Sequence, residues 1–130
     1  MTQLEKFFDV RVEPTHREVQ FDIGGFWSTE EIKEVLHKLS VAAMTFISKG
    51  QTFHGLGDME KLVPQSRETA AAIRDNLMQG KANGLRRVAI ISPPVLMKMQ
   101  YQRIADGMPV EFFDTALEAK AWLRKQPPEA

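Results

Sequence analysis

The chain of 130 residues contains no cysteine, which excludes disulfide bonds and thiol catalysis and favours a reducing compartment. Neither sign of charge is in excess, because 17 Lys and Arg residues balance 17 Asp and Glu residues. This balance gives no electrostatic reason to expect nucleic acid or an anionic membrane as a partner. No apolar run approaches the ~18 residues that a membrane span needs. These absences together predict a cytoplasmic protein.

Targeting and catalytic signals are also missing from the sequence. The first six residues, 1–6, lack the basic and apolar regions of a signal peptide, so none is expected. No two of the three histidines have the i, i+4 spacing of a helical zinc site. No serine has a base placed to activate it. We therefore predict no catalytic residue, no metal and no cofactor, and a protein that is not an enzyme.

Apolar residues are spaced so as to predict strands alternating with helices. Residues 8–12 and 18–23 alternate between apolar and polar side chains, and Pro14 lies between them, which predicts an antiparallel hairpin. Ser28 and Glu31 form a capping-box pattern before a long helix. Further strands are predicted over residues 51–56, 88–91 and 110–113, and further helices after Ser66, Pro94 and Asp114.

These elements predict one α/β domain over residues 1–130, with a loose tail at residues 126–130. The predicted order is β-β-α-β-α-β-α-β-α, in a mixed, mostly parallel sheet of five strands packed with about four helices. The continuous apolar run at residues 88–91 favours a strand that is buried on both faces. The predicted core contains Phe21, Ile23, Leu36, Leu39, Ile73, Val88, Ile90 and Trp122.

The order of segments resembles that of the STAS domain of sporulation anti-sigma-factor antagonists. More closely, the chain resembles the uncharacterised bacterial SpoIIAA-like proteins, which are grouped with CRAL-TRIO lipid-transfer domains. The segments that carry this resemblance are residues 21–27, the strand ending in Gly57–Asp58, residues 84–89, and Phe112–Phe113–Asp114 followed by Ala119, Trp122 and Leu123. The resemblance covers roughly residues 8 to 124 and implies the same fold.

The resemblance also directs attention to Asp58 and Ser66. A phosphorylatable STAS antagonist has an Asp-Ser-Gly or similar motif where the third strand meets the second helix. Here Met59 follows Asp58, and the next serine is Ser66. Ser66 and Asp58 are the candidates for a phosphorylation or anion site, since a helix N-terminus favours a phosphate. The alternative is that Ser66 only caps the helix.

The strand that leads to Asp58 contains two other features. Gly55 and Gly57 form a G-x-G pattern without the third glycine of a dinucleotide site, which favours a strand exit that needs backbone freedom. His54 lies in the same predicted strand, too far from Asp58 to form a dyad, and is read as structural.

Methionines are concentrated in and after the third predicted helix. Met97 and Tyr101 share one face of this helix, Met99 lies on another, and Met108 follows it. Two apolar faces exceed what one core contact needs, so these four residues are the interaction candidates, although methionine also fills cores.

Two functions follow as hypotheses. The first is a non-enzymatic, STAS-like regulatory or protein-interaction domain that forms a homodimer, with the Met99 side of the third helix exposed in the monomer. The alternative is a binder of a small apolar ligand or lipid between helices and sheet. That alternative needs a cavity of ~300 Å³ or more, and a tightly filled core of this size is expected to leave little room for one.

Overall fold

The computed structural model describes residues 5–125, which fold into five strands and four helices in the predicted order. The elements are β1 (Phe7–Glu13), β2 (Glu18–Gly24), α1 (Thr29–Ile47), β3 (Phe53–Asp58), α2 (Arg67–Ala82), β4 (Leu85–Ile91), α3 (Val95–Ile104), β5 (Val110–Phe113) and α4 (Ala116–Lys125). The tail at residues 126–130 lies outside the described residues.

The strands form a single sheet in the order β1-β2-β3-β4-β5. The predicted hairpin is confirmed, because β1 and β2 pair antiparallel with Val10 opposite Phe21. The three other pairs of neighbouring strands are parallel, as expected for strands joined through helices. The sheet is therefore mixed and mostly parallel, and β4 lies inside it between β3 and β5.

The third strand lies two residues further along the chain than the predicted range 51–56. Its ladder begins where the Phe53 N–H donates to the Gly84 carbonyl at 3.0 Å. Before that point the Gln51 N–H still donates to the Phe46 carbonyl of α1, also at 3.0 Å. The chain leaves α1 through Gly50, at φ +65°, so residues 51 and 52 belong to the helix exit rather than to the sheet.

Helices cover the two faces of the sheet unequally. The first three helices pack on one face, where Val19, Ile23, Val88 and Ile90 belong to the main core cluster. Among residues 5–125, only α4 packs on the other face, and it covers β3, β4 and β5. The smaller cluster beneath it contains Leu56, Ala89, Ile91, Ala119 and Leu123.

The predicted core residues are therefore divided between two layers. Of the eight, Ile23, Val88 and Ile90 are buried in the main cluster. Four others are partly buried against that cluster, namely Phe21, Leu36, Leu39 and Ile73. Trp122 lies on the opposite face of the sheet, where its ring packs 5.7 Å from that of Phe113.

The cap of the last helix differs from the prediction, which placed it at Asp114. Thr115 is the capping residue, because its hydroxyl accepts the Glu118 N–H at 3.2 Å and donates to the Glu118 carboxylate at 2.9 Å. Asp114 belongs to the preceding turn, where its carbonyl accepts the Ser92 hydroxyl at 2.8 Å. This contact joins the carboxyl ends of β4 and β5.

Candidate functional site

Three of the four interaction candidates lie in the interior. Met97 is fully buried, and Tyr101 and Met108 are nearly so. The Tyr101 ring meets the Phe112 ring edge-on at 6.4 Å, and burial raises the pKa of its hydroxyl well above the usual range. In the folded monomer these side chains fill the core and are not available to a partner.

Met99 lies on the opposite side of α3 and is 49% exposed, as expected for the monomer. Two further apolar side chains extend this exposed surface, because Val95 is 74% and Leu96 is 67% exposed. We call Val95, Leu96 and Met99 the α3 patch. Met99 lies one helical turn from each of the other two, at i, i+4 from Val95 and i, i+3 from Leu96, the spacings that place side chains side by side. Val95 and Leu96 were not predicted as part of this surface, although an apolar pair just after Pro94 was a visible signal.

Ser66 and Asp58 both have local structural roles. The Ser66 hydroxyl accepts the Thr69 N–H at 3.2 Å and caps α2, while Asp58 Oδ1 accepts the Glu60 N–H at 3.0 Å in the turn after β3. Gln65, just before the cap, is buried and joins the neighbouring segments. Its backbone N–H donates to Gln100 Oε1 at 2.8 Å, and its side-chain oxygen accepts the Trp27 N–H at 2.9 Å. Ser66 and Asp58 therefore both lie near the carboxyl edge of the sheet, but they belong to two separate turns.

The G-x-G pattern serves packing rather than backbone freedom. Neither Gly55 nor Gly57 has a positive φ. A Cβ atom at Gly57 would lie 2.2 Å from the Phe21 ring of the neighbouring strand, so only glycine leaves room for that ring. The interpretation as a strand exit that needs φ freedom is therefore wrong, because the Phe21 ring occupies the space.

His54 is 1% exposed, and neither ring nitrogen has a hydrogen-bond partner within residues 5–125. Burial, together with the nearby cations Arg87 and Arg17, lowers its pKa to about 4, although Glu18 opposes this. The imidazole is therefore neutral near pH 7. It lies away from the described cavities, which agrees with a structural histidine.

A polar network covers the part of the sheet that α4 leaves open. Glu18 is fully buried, and its carboxylate accepts hydrogen bonds from the Arg124 guanidinium and from Gln20 Nε2, the latter at 2.9 Å. Gln20 in turn accepts from Arg11 at 3.2 Å, and Arg11 forms ion pairs with Asp9 and Asp22, both at 3.1 Å. This network was not predicted from the sequence, since alternating polar residues on strands ordinarily indicate a solvated face.

An apolar groove, also missed, runs between α1 and α2 above the start of β3. Its volume is about 410 Å³. The apolar part of its lining includes Val19, Phe21, Leu39, Ala43, Met44, Ile47, Phe53 and Leu85, and the polar part consists of His37, Ser40, Asn76, Gln79 and Asn83. Val41 and Met44, 57% and 50% exposed, stand along it. A groove of this size is within the range of small-molecule sites.

A smaller cavity of about 90 Å³ lies deeper, between α1, α2, α3 and the sheet. It shares four lining residues with the groove, namely Phe21, Leu39, Gly55 and Asn76. Its other lining residues are apolar side chains of the main core, including Met97 and Tyr101. The two spaces therefore adjoin through one wall that these four residues form.

Within the described part of the chain, no cluster of His, Asp or Glu side chains is suited to hold a metal ion. No helix among residues 5–125 is both long and apolar enough to span a membrane.

Comparisons with known proteins agree with this architecture. The sequence model of the SpoIIAA-like family matches residues 18–124. The chain belongs to the SpoIIAA-like family. An uncharacterised protein with a SpoIIAA-like fold from Shewanella loihica PV-4 is similar in structure, with a TM-score of 0.66 and 22% identity over 95% of this chain and 98% of that one.

The anti-sigma factor antagonist SpoIIAA, in its unphosphorylated form, is also similar to this SpoIIAA-like chain. The TM-score is 0.64, with 15% identity over 92% of this chain and 97% of that one. At these identities the two structures establish the shared fold. No curated protein matches the sequence.

Proposed function

We propose that this protein is a non-enzymatic regulatory domain that acts through protein–protein contact and forms a homodimer through the α3 patch. The observation that carries the proposal is the pair of apolar faces on one short helix. One face is buried through Met97, Tyr101 and Ile104, whereas the α3 patch has no cover within residues 5–125. Contiguous exposed apolar side chains are typical of interaction sites.

The surroundings of the patch suit a symmetric contact. Arg103 follows Met99 by one helical turn, and Asp106 lies just beyond the helix; both are exposed. In a two-fold arrangement each surface meets a copy of itself, so Arg103 of one protomer is able to face Asp106 of the other. Apolar side chains would then form the centre of the contact and charged ones its rim. Dimers of this symmetry are the commonest soluble oligomers.

Sedimentation of the wild type at micromolar concentration tests the proposal. We expect a species of twice the monomer mass, and Met99→Glu should shift it to monomer, because a carboxylate would enter an apolar contact. Leu117→Glu is the matched control, since Leu117 is 80% exposed on α4, on the opposite face of the sheet. A monomeric wild type, or equal effects of the two variants, would contradict self-association through α3.

The proposal also includes a cytoplasmic location and a site at Ser66 and Asp58. The cytoplasmic location rests on the balanced charge and the absence of cysteine. Phosphorylation at Ser66 stays a prediction that mass spectrometry of protein from the native host tests, and recovery of only unmodified Ser66 under all growth conditions would contradict it. Anion binding at Ser66 and Asp58 stays a separate prediction that titration with inorganic phosphate tests, and an absence of binding would contradict it.

The groove between α1 and α2 favours a second candidate function, the binding of a small apolar ligand. The expectation that a tightly filled core leaves little room for a cavity does not apply to it, because the groove lies between two helices at the surface. Its 410 Å³ exceeds the lower limit of ~300 Å³ for ligand sites.

A further inference from the structure

We propose that the groove between α1 and α2 binds an uncharged amphiphile with a straight apolar tail, an inference that rests on the ligand-binding candidate function above. The ligand class follows from three properties of the groove: the chemistry of its lining, the position of its polar groups, and the cavity behind its inner wall.

The lining of the groove contains no Lys, Arg, Asp or Glu side chain from the described residues, and His37 is the ionisable side chain that it does contain. A carboxylate or phosphate group seated there would lose water without gaining a Lys or Arg cation, which is unfavourable. A cationic head would likewise find no carboxylate. The electrostatics therefore favour a neutral head group.

Apart from His37, the polar side chains of the groove are neutral hydrogen-bonding groups on two facing helices. Ser40 of α1 and Asn76 of α2 are joined across it, since Asn76 Nδ2 donates to Ser40 Oγ at 3.1 Å. Gln79 and Asn83 extend this polar side along α2. A hydroxyl or an amide matches these groups, because it both donates and accepts hydrogen bonds. A few polar groups on a mainly apolar lining are typical of sites that orient a small ligand.

The position of the inner cavity indicates which way the apolar tail of the ligand would point. Phe21, Leu39, Gly55 and Asn76 line both spaces, so a side-chain movement in this shared wall would connect them. Gly55 has no side chain to fill the wall, and a Cβ atom there would already be 3.4 Å from Val88. The apolar end of a ligand would therefore point towards Phe21 and Gly55, with its head near Ser40 and Asn76.

The volume of the groove bears on the size of the ligand. Its 410 Å³ lies within the range of small-molecule sites. We therefore choose a chain of about ten carbon atoms with one hydroxyl as the test ligand. The pair 1-decanol and decanoate has the same tail and differs in the head group, so it isolates the role of charge.

Displacement of the uncharged fluorescent probe N-phenyl-1-naphthylamine by these two compounds, near pH 8, tests the proposal. We expect the probe to bind, and 1-decanol to displace it at a concentration about tenfold or more below that of decanoate, because decanoate lacks a cation in the groove. Equal or tighter binding of decanoate would overturn the neutral ligand class while leaving an apolar ligand site. A probe that neither binds nor is displaced would overturn both this inference and the ligand-binding candidate.

Two variants locate the binding in the groove. Ala43→Leu adds volume at a buried lining position and should weaken the binding of 1-decanol by about tenfold. A thermal melt shows whether the variant folds. Met44→Lys changes an exposed lining residue and should increase the affinity for decanoate about threefold by adding a cation. Leu117→Lys, on α4, is its matched control and should leave decanoate unchanged.

The result for each variant tests whether the ligand binds in the groove. If Ala43→Leu folds and binds 1-decanol as the wild type does, the ligand lies elsewhere and the inference fails. If Ala43→Leu does not fold, Met44→Lys decides instead. An effect of Met44→Lys no larger than that of Leu117→Lys contradicts binding in the groove.

Discussion

The Arg124 guanidinium contacts both carboxylate oxygens of Glu18, each at 3.2 Å, although 106 residues separate them in sequence. This pair joins the end of α4 to the start of β2. Glu18 is fully buried, whereas the Arg124 side chain is 32% exposed, so one partner has no access to water and the other has some. The contact raises the pKa of Arg124 and holds α4 over the sheet.

Arg124→Ala should therefore lower the free energy of unfolding by about 2 kcal/mol. Removing one partner of a fully buried pair costs about 3–5 kcal/mol, and partial access of water where Arg124 lay reduces that cost. Urea denaturation measures it, with Lys125→Ala, an exposed neighbour on α4, as the control. A loss no greater than that of Lys125→Ala would mean that the pair does not hold the helix.

His54 should make stability depend on pH between 6.5 and 4. Its pKa is about 4 in the folded protein and about 6.5 when unfolded, because burial disfavours the charged ring. Within this window the unfolded chain binds the proton and the folded protein does not, so stability decreases as pH falls. The expected loss is roughly 2 kcal/mol.

His54→Phe is the variant that isolates this effect. It keeps a ring in the buried position, and it removes two ring nitrogens that have no hydrogen-bond partner among the described residues. Denaturation of both proteins between pH 7 and about pH 4 should show a smaller slope for the variant. Equal slopes of stability against pH in the two proteins would mean that groups other than His54 cause the pH dependence.

Ser28→Ala should destabilise the protein by about 0.5–2 kcal/mol, since the capping box of α1 would lose one of its two hydrogen bonds. The Ser28 hydroxyl accepts the Glu31 N–H at 3.1 Å, and the Glu31 carboxylate accepts the Ser28 N–H at 2.9 Å. Thr45→Ala, at an exposed position within the same helix, removes a hydroxyl that has no capping role and should cause no loss. Similar losses in the two variants would contradict the capping role.

Acid should also weaken the capping box of α1, at a lower pH than the effect of His54. The pKa of Glu31 is lowered to about 2 by its contact with Lys6 and its hydrogen bonds with Ser28. The stabilisation is therefore present above pH 4.5 and is lost as pH falls towards 2. Lys6→Ala should reduce this acid sensitivity, because it removes the contact that lowers the pKa of Glu31 most, and an unchanged acid midpoint would count against it.

Ile90→Ala should lower stability by about 2–5 kcal/mol, because Ile90 is fully buried in β4, inside the sheet. Leu117→Ala, at an exposed position on α4 and outside the α3 patch, is the control and should change little. A loss under about 1 kcal/mol for Ile90→Ala would contradict the packing of the central sheet.

Local patterns were sufficient to predict the elements of the fold. Strand alternation around Phe21 and the capping box at Ser28 depend on residues a few positions apart, so the sequence displays them directly. The buried face of α3 follows in the same way from Met97 and Tyr101, which are four residues apart. The shared fold then followed from the order of these elements.

Features that depend on distant residues were not predictable in this way. Glu18 reads as a polar strand residue until Arg124 is placed over it. Gly57 reads as a flexible position until the Phe21 ring is placed against it. The groove is lined by side chains of α1, α2 and the start of β3, so it is a property of tertiary packing that no single segment encodes.

The central claim is that the α3 patch is an interface between two copies of the chain. Amide NMR spectra at low and high micromolar protein concentration test it most directly, because they report each residue separately. We expect concentration-dependent shifts at Val95, Leu96, Met99 and Arg103, and none around Leu117 on α4. Spectra that do not change with concentration, or shifts that centre on α4 instead, would contradict the claim.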